Sequence, residues 1–241
     1  MSELFDQSAR ASSPGTDEAH DRLVKWLVGD RLSCVLLLED SSLAFRLAGQ
    51  GHEVVVAGDD VRAVRSDEVL YVRTAGPRLP FVADSFDAVV APQLNDDQTV
   101  LAEYARVLRS GGVLSTLSRT HDESLPWVRR LREVVGRRPT AAAPVTDTLG
   151  ASGLFAAPET TETATWEELD LPALLQYARE TGRQPVEEST LSRVRELFDQ
   201  NTAQSGSLRL RHLLRGVRAR VHKSSPPSGS QQPETLLFDL R

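Results

Sequence analysis

Four short apolar runs separated by segments of helical period set the tightest limit on what this chain can fold into. They are Ser33–Leu38 (SCVLLL), Glu53–Ala57 (EVVVA), Phe86–Ala91 (FDAVVA) and Val113–Leu117. In the first two the apolar residues run consecutively rather than at alternate positions, the pattern of strands covered on both faces. Between them, Ser41–Gln50 and Asp97–Leu108 place apolar residues along one helical side. Val69–Val72 offers a further strand. Alternation of this kind predicts βαβ units, a parallel sheet and, through right-handed crossovers, helices on both of its faces. Ligands of such sheets bind beyond the carboxyl ends of the strands, here just after Leu38, Ala57, Val72 and Ala91. Gly51 is placed to cap one helix, and Gly111-Gly112 to stop another.

The flanks are less regular. Residues 1–18 are polar, contain Ser12-Ser13-Pro14-Gly15, and read as a flexible arm; Asp21–Val28 reads as a helix. Leu125–Val135 is a basic amphipathic helix, about 141–165 an excursion, and Leu171–Glu180 and Ser189–Asp199 are helices. Gly216–Val221 alternates as a last strand, and 223–241 is a disordered tail ending in an apolar knot, Leu236-Leu237-Phe238. The 241 residues suit one medium domain with appendages. A single cysteine, Cys34, excludes an internal disulfide framework and a cysteine-based zinc cluster, and the five scattered histidines have no metal-ligand spacing, so no metal is expected. No run approaches 18 apolar residues, and no basic-then-apolar leader is present, which predicts a cytoplasmic chain without a membrane partner.

The most specific stretch is Leu79-Pro80-Phe81 followed by Ser85-Phe86-Asp87-Ala88-Val89-Val90, then Arg106-Val107-Leu108-Arg109-Ser110-Gly111-Gly112. This combination closely resembles class I S-adenosylmethionine-dependent methyltransferases, in particular a bacterial type 11-like subgroup. Weaker likenesses at Arg10–Trp26, at His121-Asp122-Glu123 with Pro126-Trp127, and around Trp166 extend it over most of residues 10–222. The resemblance implies an α/β Rossmann-like fold with a mostly parallel seven-stranded sheet and a domain spanning 19–222. It also implies S-adenosylmethionine as methyl donor and a small-molecule acceptor.

The same resemblance locates the departures. Where the family carries a Gly-rich turn after its first strand, this chain reads Leu38-Glu39-Asp40-Ser41-Ser42, with no glycine between Gly29 and Gly49. Glycine there lets backbone approach the ligand, and a helix N-terminus offers amides to its carboxylate. The resemblance places Glu39, Asp40 and Ser41 at the cofactor, with Asp59 toward the ribose (one position later than the family's acid) and Gln93 after the fourth strand. Ala75 stands where an acid for the adenine amino group is expected. Two readings follow: the cofactor binds through an altered turn, or the chain is a non-catalytic scaffold that binds a ligand or protein partner, with the C-terminal tail as one docking element. Ser41 and Ser42 are equally good N-caps.

Other candidates have plainer explanations. Cys34 lies in an apolar strand and reads as a buried thiol, and His52 as a structural residue of a turn. His121 with Asp122 falls near the expected pocket mouth, where acid–base work is conceivable but not the expectation. Arg209, Arg211, Arg215, Arg218, Arg220 and Lys223 could meet phosphates, yet the chain carries −6 and the segment lacks a stacking platform. Charges guarding an edge strand are preferred, and no nucleic-acid partner is expected.

Overall fold

The computed structural model describes residues 14–38, 43–59, 67–91, 94, 97–136, 145–181, 186–202 and 206–223. In chain order the elements are α1 (Pro14–Val28), β1 (Cys34–Leu38), α2 (Ala44–Gly49), β2 (Glu53–Gly58), β3 (Val69–Arg73), β4 (Phe86–Val90) and α3 (Gln98–Val107). There follow β5 (Leu108–His121), α4 (Pro126–Val135), α5 (Val145–Ser152), β6 (Glu159–Leu169), α6 (Leu171–Thr181), α7 (Glu188–Thr202) and β7 (Leu208–Arg220). One seven-stranded sheet runs β3-β2-β1-β4-β5-β7-β6. Strands β1 to β5 are parallel, and β7 is antiparallel to both its neighbours. The expected architecture, a mostly parallel seven-stranded α/β sheet with helices on both faces, is what the chain forms.

The consecutive apolar runs explain the layering. All five residues of β1 are buried, and alternate ones enter opposite layers. Leu36 and Leu38 join Val55, Val89 and Leu114 beneath α3 and α5, while Val35 and Leu37 join Val54, Ala88 and the α1 residues Val24 and Leu27. A third apolar cluster sits under α4, α6 and α7, where Leu131, Leu174, Val194 and Leu197 gather with Leu208 and Leu210 of β7.

The motif that carries the family likeness knits the amino-terminal side of the sheet. The Cys34 N–H donates to Asp87 Oδ2 at 2.8 Å, and Arg109 Nη1 donates to the same oxygen at 2.8 Å, so one carboxylate ties β1, β4 and β5. Glu103 accepts from the Leu79 N–H and from Arg106, which also donates to the Leu79 carbonyl. Phe81 and Phe86, both fully buried, meet edge to face with centroids 4.9 Å apart. A Cβ on Gly112 would lie 2.8 Å from the Arg109 carbonyl oxygen and 3.1 Å from that of Asp87. Lys223 closes this end by donating to Asp84 Oδ1 at 2.7 Å and to the Arg106 and Leu108 carbonyls.

Several expectations need correcting. The helix read from Asp21 already begins at Pro14, inside the stretch taken as an arm, because proline is well suited to a helix's first turn. Gly111-Gly112 does not end α3; β5 begins at once at Leu108, and the glycines sit in a bulge between the Phe86↔Leu108 and Ala88↔Val113 pairs. Part of the stretch read as an excursion forms α5 and half of β6, whose Thr-rich alternation pairs with β7 along its length. The last strand starts at Leu208 rather than Gly216, and it is interior: β6 is the edge. The tail beyond Lys223, like residues 1–13, lies outside the described residues.

Candidate functional site

Strand order reverses between β1 and β4, with β2 and β3 to one side and β5 to the other. In such a sheet the crevice forms outside the carboxyl ends at that point. Three adjacent strands, β2, β1 and β4, end there at Gly58, Leu38 and Val90. Leu38 pairs with Ala57, so Asp59 follows two residues later, about 7 Å further along the strand direction. Asp59 is exposed. Among the described residues it has neither a salt bridge nor a side-chain hydrogen bond. Leu38 and Ala91 are buried, and the Ala91 N–H donates to the Ser115 carbonyl, which fixes the end of β4 against β5.

Of the residues predicted for this site, Asp59 alone is described. Glu39, Asp40, Ser41 and Gln93 lie outside the described residues. Their chain positions nonetheless follow the ends of β1 and β4, the two strands flanking the reversal. As a donor set for a nucleoside sulfonium amino acid, the described edge is chemically suited: the exposed Asp59 carboxylate, able to accept from a diol, stands beside apolar strand ends.

The plainer explanations hold for Cys34 and His52. Burial pushes the Cys34 thiol up to about 11, so it is a thiol and not a thiolate at neutral pH. His52 accepts from the Ser33 N–H through Nδ1, bridging the start of β1 to the turn before β2, and burial lowers its proton affinity. The β7 arginines are engaged within the sheet. Arg218 pairs with Glu159 and stacks over Trp26, Arg215 faces Glu162, Arg211 pairs with Asp122, and Arg220 donates to the Gly111 carbonyl. They therefore serve strand-to-strand pairing rather than the edge guarding that was expected.

A second polar constellation was not legible as a unit in the sequence. Beyond Ser115, opposite the end of β4, β5 runs six residues further to His121, about 20 Å, with β7 and β6 beside it. On this extension His212 is 3% exposed, with Nε2 2.7 Å from Glu167 Oε2 and Nδ1 accepting from Arg119 Nε at 3.0 Å. Arg119 also pairs with Glu167 at 3.1 Å. His121 pairs with His212 across the ladder, their ring centroids 5.0 Å apart, and Tyr177 of α6 meets His121 Nδ1 at 3.1 Å. Asp122 turns to Ser124 and Arg211, whose hydrogen bonds hold its carboxyl below the usual range. Only the period-two pairing of three strands brings these residues together; no local spacing announces it.

Residues 47–116, which run from α2 to the middle of β5, match the family model of a methyltransferase domain. An uncharacterized methyltransferase of Mycobacterium tuberculosis, and another of Mycobacterium bovis, are each 33% identical over 148 residues. Those matches cover 57% of this chain and 60% of each relative's length. Among solved structures, the YcgJ protein of Bacillus subtilis superposes with a TM-score of 0.52 at 11% identity, covering 86% of this chain and all of that one. A candidate type II methyltransferase from Anaeromyxobacter dehalogenans superposes at 0.57 with 20% identity, covering 84% and 95%. The fold is that of the class I methyltransferases, and the chain carries a methyltransferase-type domain sequence across β2 to β5.

Proposed function

We propose that this chain transfers a methyl group from S-adenosylmethionine to a small-molecule acceptor, with residues 19–222 as the working unit. The observation that carries the reading is the carboxyl edge at the sheet's reversal. There the exposed carboxylate of Asp59 follows β2, and the polar residues 39–42 come next in the chain after β1, within or next to the segment matched to the methyltransferase domain model. Bound there, S-adenosylmethionine supplies a methyl already activated by its sulfonium. The chain's own task is then to bind and align rather than to activate. Asp59 accepts hydrogen bonds from the ribose hydroxyls. Glu39 or Asp40 offsets the ammonium of the methionine moiety, Ser41 offers a hydroxyl beside its carboxylate, and Gln93 closes the β4 side. Such catalysis needs no dedicated acid or base.

A second reading rests on one feature, the absence of glycine from 30 to 48. Residues 39–42 then each carry a Cβ, and Glu39 and Asp40 bring two carboxylates to the chain position where the resemblance expects the cofactor's own carboxylate. On that reading the domain is a scaffold for a ligand or a protein, reached in part through the tail after 223. Calorimetric titration with S-adenosylmethionine and S-adenosylhomocysteine separates the two. Saturable binding, with a raised melting temperature by mass action, supports the transferase. Asp59→Ala then weakens binding by about tenfold or more, the worth of a charge-assisted hydrogen bond. Absence of heat and of a thermal shift at millimolar ligand overturns the transferase reading in favour of the scaffold.

A further inference from the structure

We propose that β6 is the docking strand for a second copy of this chain, the two edges pairing antiparallel about a twofold axis at Ala164. This edge lies apart from the proposed transfer site, three strand positions from β4, about 14 Å. The ladder fixes which main-chain groups it offers. Arg220 and His222 bond across to Ala156 and Leu154, whereas Arg211 and Val221 bond to Asp122 and Gly112 on the β5 side. Even residues of β7 therefore address β6, and odd ones address β5. The β6 partners of those even residues are the odd positions from Glu159 to Leu169. Thr160, Glu162, Ala164, Trp166 and Glu168 thus turn their N–H and C=O groups out of the sheet. Among the described residues no strand pairs with that side, and Thr160, Glu162, Trp166 and Glu168 are exposed.

A long open edge is a template for another strand, and the usual guards against pairing are missing here. Glu159–Leu169 contains no proline, glycine or lysine, is rich in β-branched threonine, and pairs with β7 without a bulge. Its carboxylates turn inward to cations of the same sheet. Glu159 meets Arg218 at 2.7 Å, Glu162 faces Arg215 at 3.7 Å and Glu167 meets Arg119 at 3.1 Å. Glu168 stands opposite Arg209.

The occupant follows from self-complementarity. Ala164 is the midpoint of β6, so an axis there pairs the whole strand with itself, an isologous interface. Glu159 then lies opposite Leu169, Thr160 opposite Glu168, Thr161 opposite Glu167, Glu162 opposite Trp166 and Thr163 opposite Thr165. No carboxylate faces another. An axis at Thr163 would set Glu159 against Glu167, and one at Thr165 would set Glu162 against Glu168; like charges directly opposite destabilise a ladder. The Ala164 register also brings Glu162 of one copy to Trp166 of the other. That ring already carries the guanidiniums of Arg209 and Arg211 at 4.9 and 5.9 Å, so acid meets cations across the axis.

Sedimentation equilibrium of the full chain tests for the dimer, and introduced cysteines test its register. Ala164→Cys should cross-link to itself on mild oxidation, because facing Cα atoms of a hydrogen-bonded pair lie about 5.5 Å apart, within disulfide reach. The native Cys34 is buried. Thr160→Cys places its two thiols about 27 Å apart, as does Glu168→Cys, so these should cross-link only when the two variants are mixed. Ala164→Lys and Ala164→Glu should each raise the dissociation constant at least about tenfold, and mixing them should restore it. Should either charge variant fail to fold, the cysteine variants decide. A chain that stays monomeric at every concentration overturns the pairing, as does a dimer indifferent to both charge variants or self-cross-linking of Thr160→Cys. A monomer that dimerises once residues 224–241 are removed also overturns it, and assigns the edge to the chain's own tail.

Discussion

Removing the Asp87 carboxylate should unfasten the amino-terminal side of the sheet, and the structure gives the size of the effect. Asp87→Ala leaves the Cys34 N–H without its acceptor at a position 6% exposed. An orphaned buried donor costs about 1–3 kcal/mol. The ion pair to Arg109 disappears as well. With the two side chains 30% and 37% exposed, solvent screening holds its worth to about 0.2–1 kcal/mol. The total is about 1–4 kcal/mol. Asp87→Asn keeps an oxygen for the Cys34 amide and loses only the charge, so it should cost less than about 1 kcal/mol. Urea unfolding followed by far-UV circular dichroism measures the difference. With a slope of about 2 kcal/mol per molar, the alanine midpoint falls by about 0.5–2 M and the asparagine midpoint by less than about 0.5 M, at unchanged slope. Equal midpoints for the two variants would refute the assignment, because they would show that the amide acceptor contributes nothing. The outcome also bears on the Ser85-Phe86-Asp87 motif, which reads here as a fold-building device at the end of the strands opposite the carboxyl edge.

Two further expectations concern the same end of the molecule. Gly112→Ala should lower stability by about 1–3 kcal/mol, since the new Cβ would meet two backbone oxygens at 2.8 and 3.1 Å that no rotamer can move; a melting temperature equal to wild type would contradict it. Glu103 is held below its ordinary carboxyl value, first by its hydrogen bond to Arg106 and then by the Leu79 amide. Its folded affinity for a proton is the lower one, so its contribution is present above about pH 4.5 and is lost as pH falls through the folded value. The stability gap between wild type and Glu103→Gln should therefore shrink on acidification from about pH 6 to about pH 3, and a gap independent of pH would disprove the coupling.

Much of the parallel core was legible because a strand buried on both faces has no alternative to an unbroken apolar run. Cys34–Leu38, Glu53–Gly58 and Phe86–Val90 each lie within a residue of the segments expected for them. The long antiparallel strands were read poorly for the opposite reason. Arg209, Arg211 and Arg215 interrupt the apolar residues of β7, and Glu162 and Glu167 those of β6, so neither segment looks buried until its charges find partners on the adjoining strand. The candidate site was legible only by position. Asp59 could be placed at the end of β2 from the run Val54-Val55-Val56-Ala57, whereas nothing local joined His121 to His212, far along the chain, or to Tyr177.

The sequence by itself determined the alternating α/β plan, the parallel strands β1 to β4 and the edge at which a ligand would sit. Those follow from local periodicity and the handedness of crossovers, which neighbouring residues encode. Tertiary structure alone decided that β7 inserts between β5 and β6, and that the motif of family likeness braces the amino end. It also brought two histidines, an arginine, a glutamate and a tyrosine to share one seam. Each of these depends on pairing between strands far apart in the chain, where a side chain's meaning is set by the partner across the ladder.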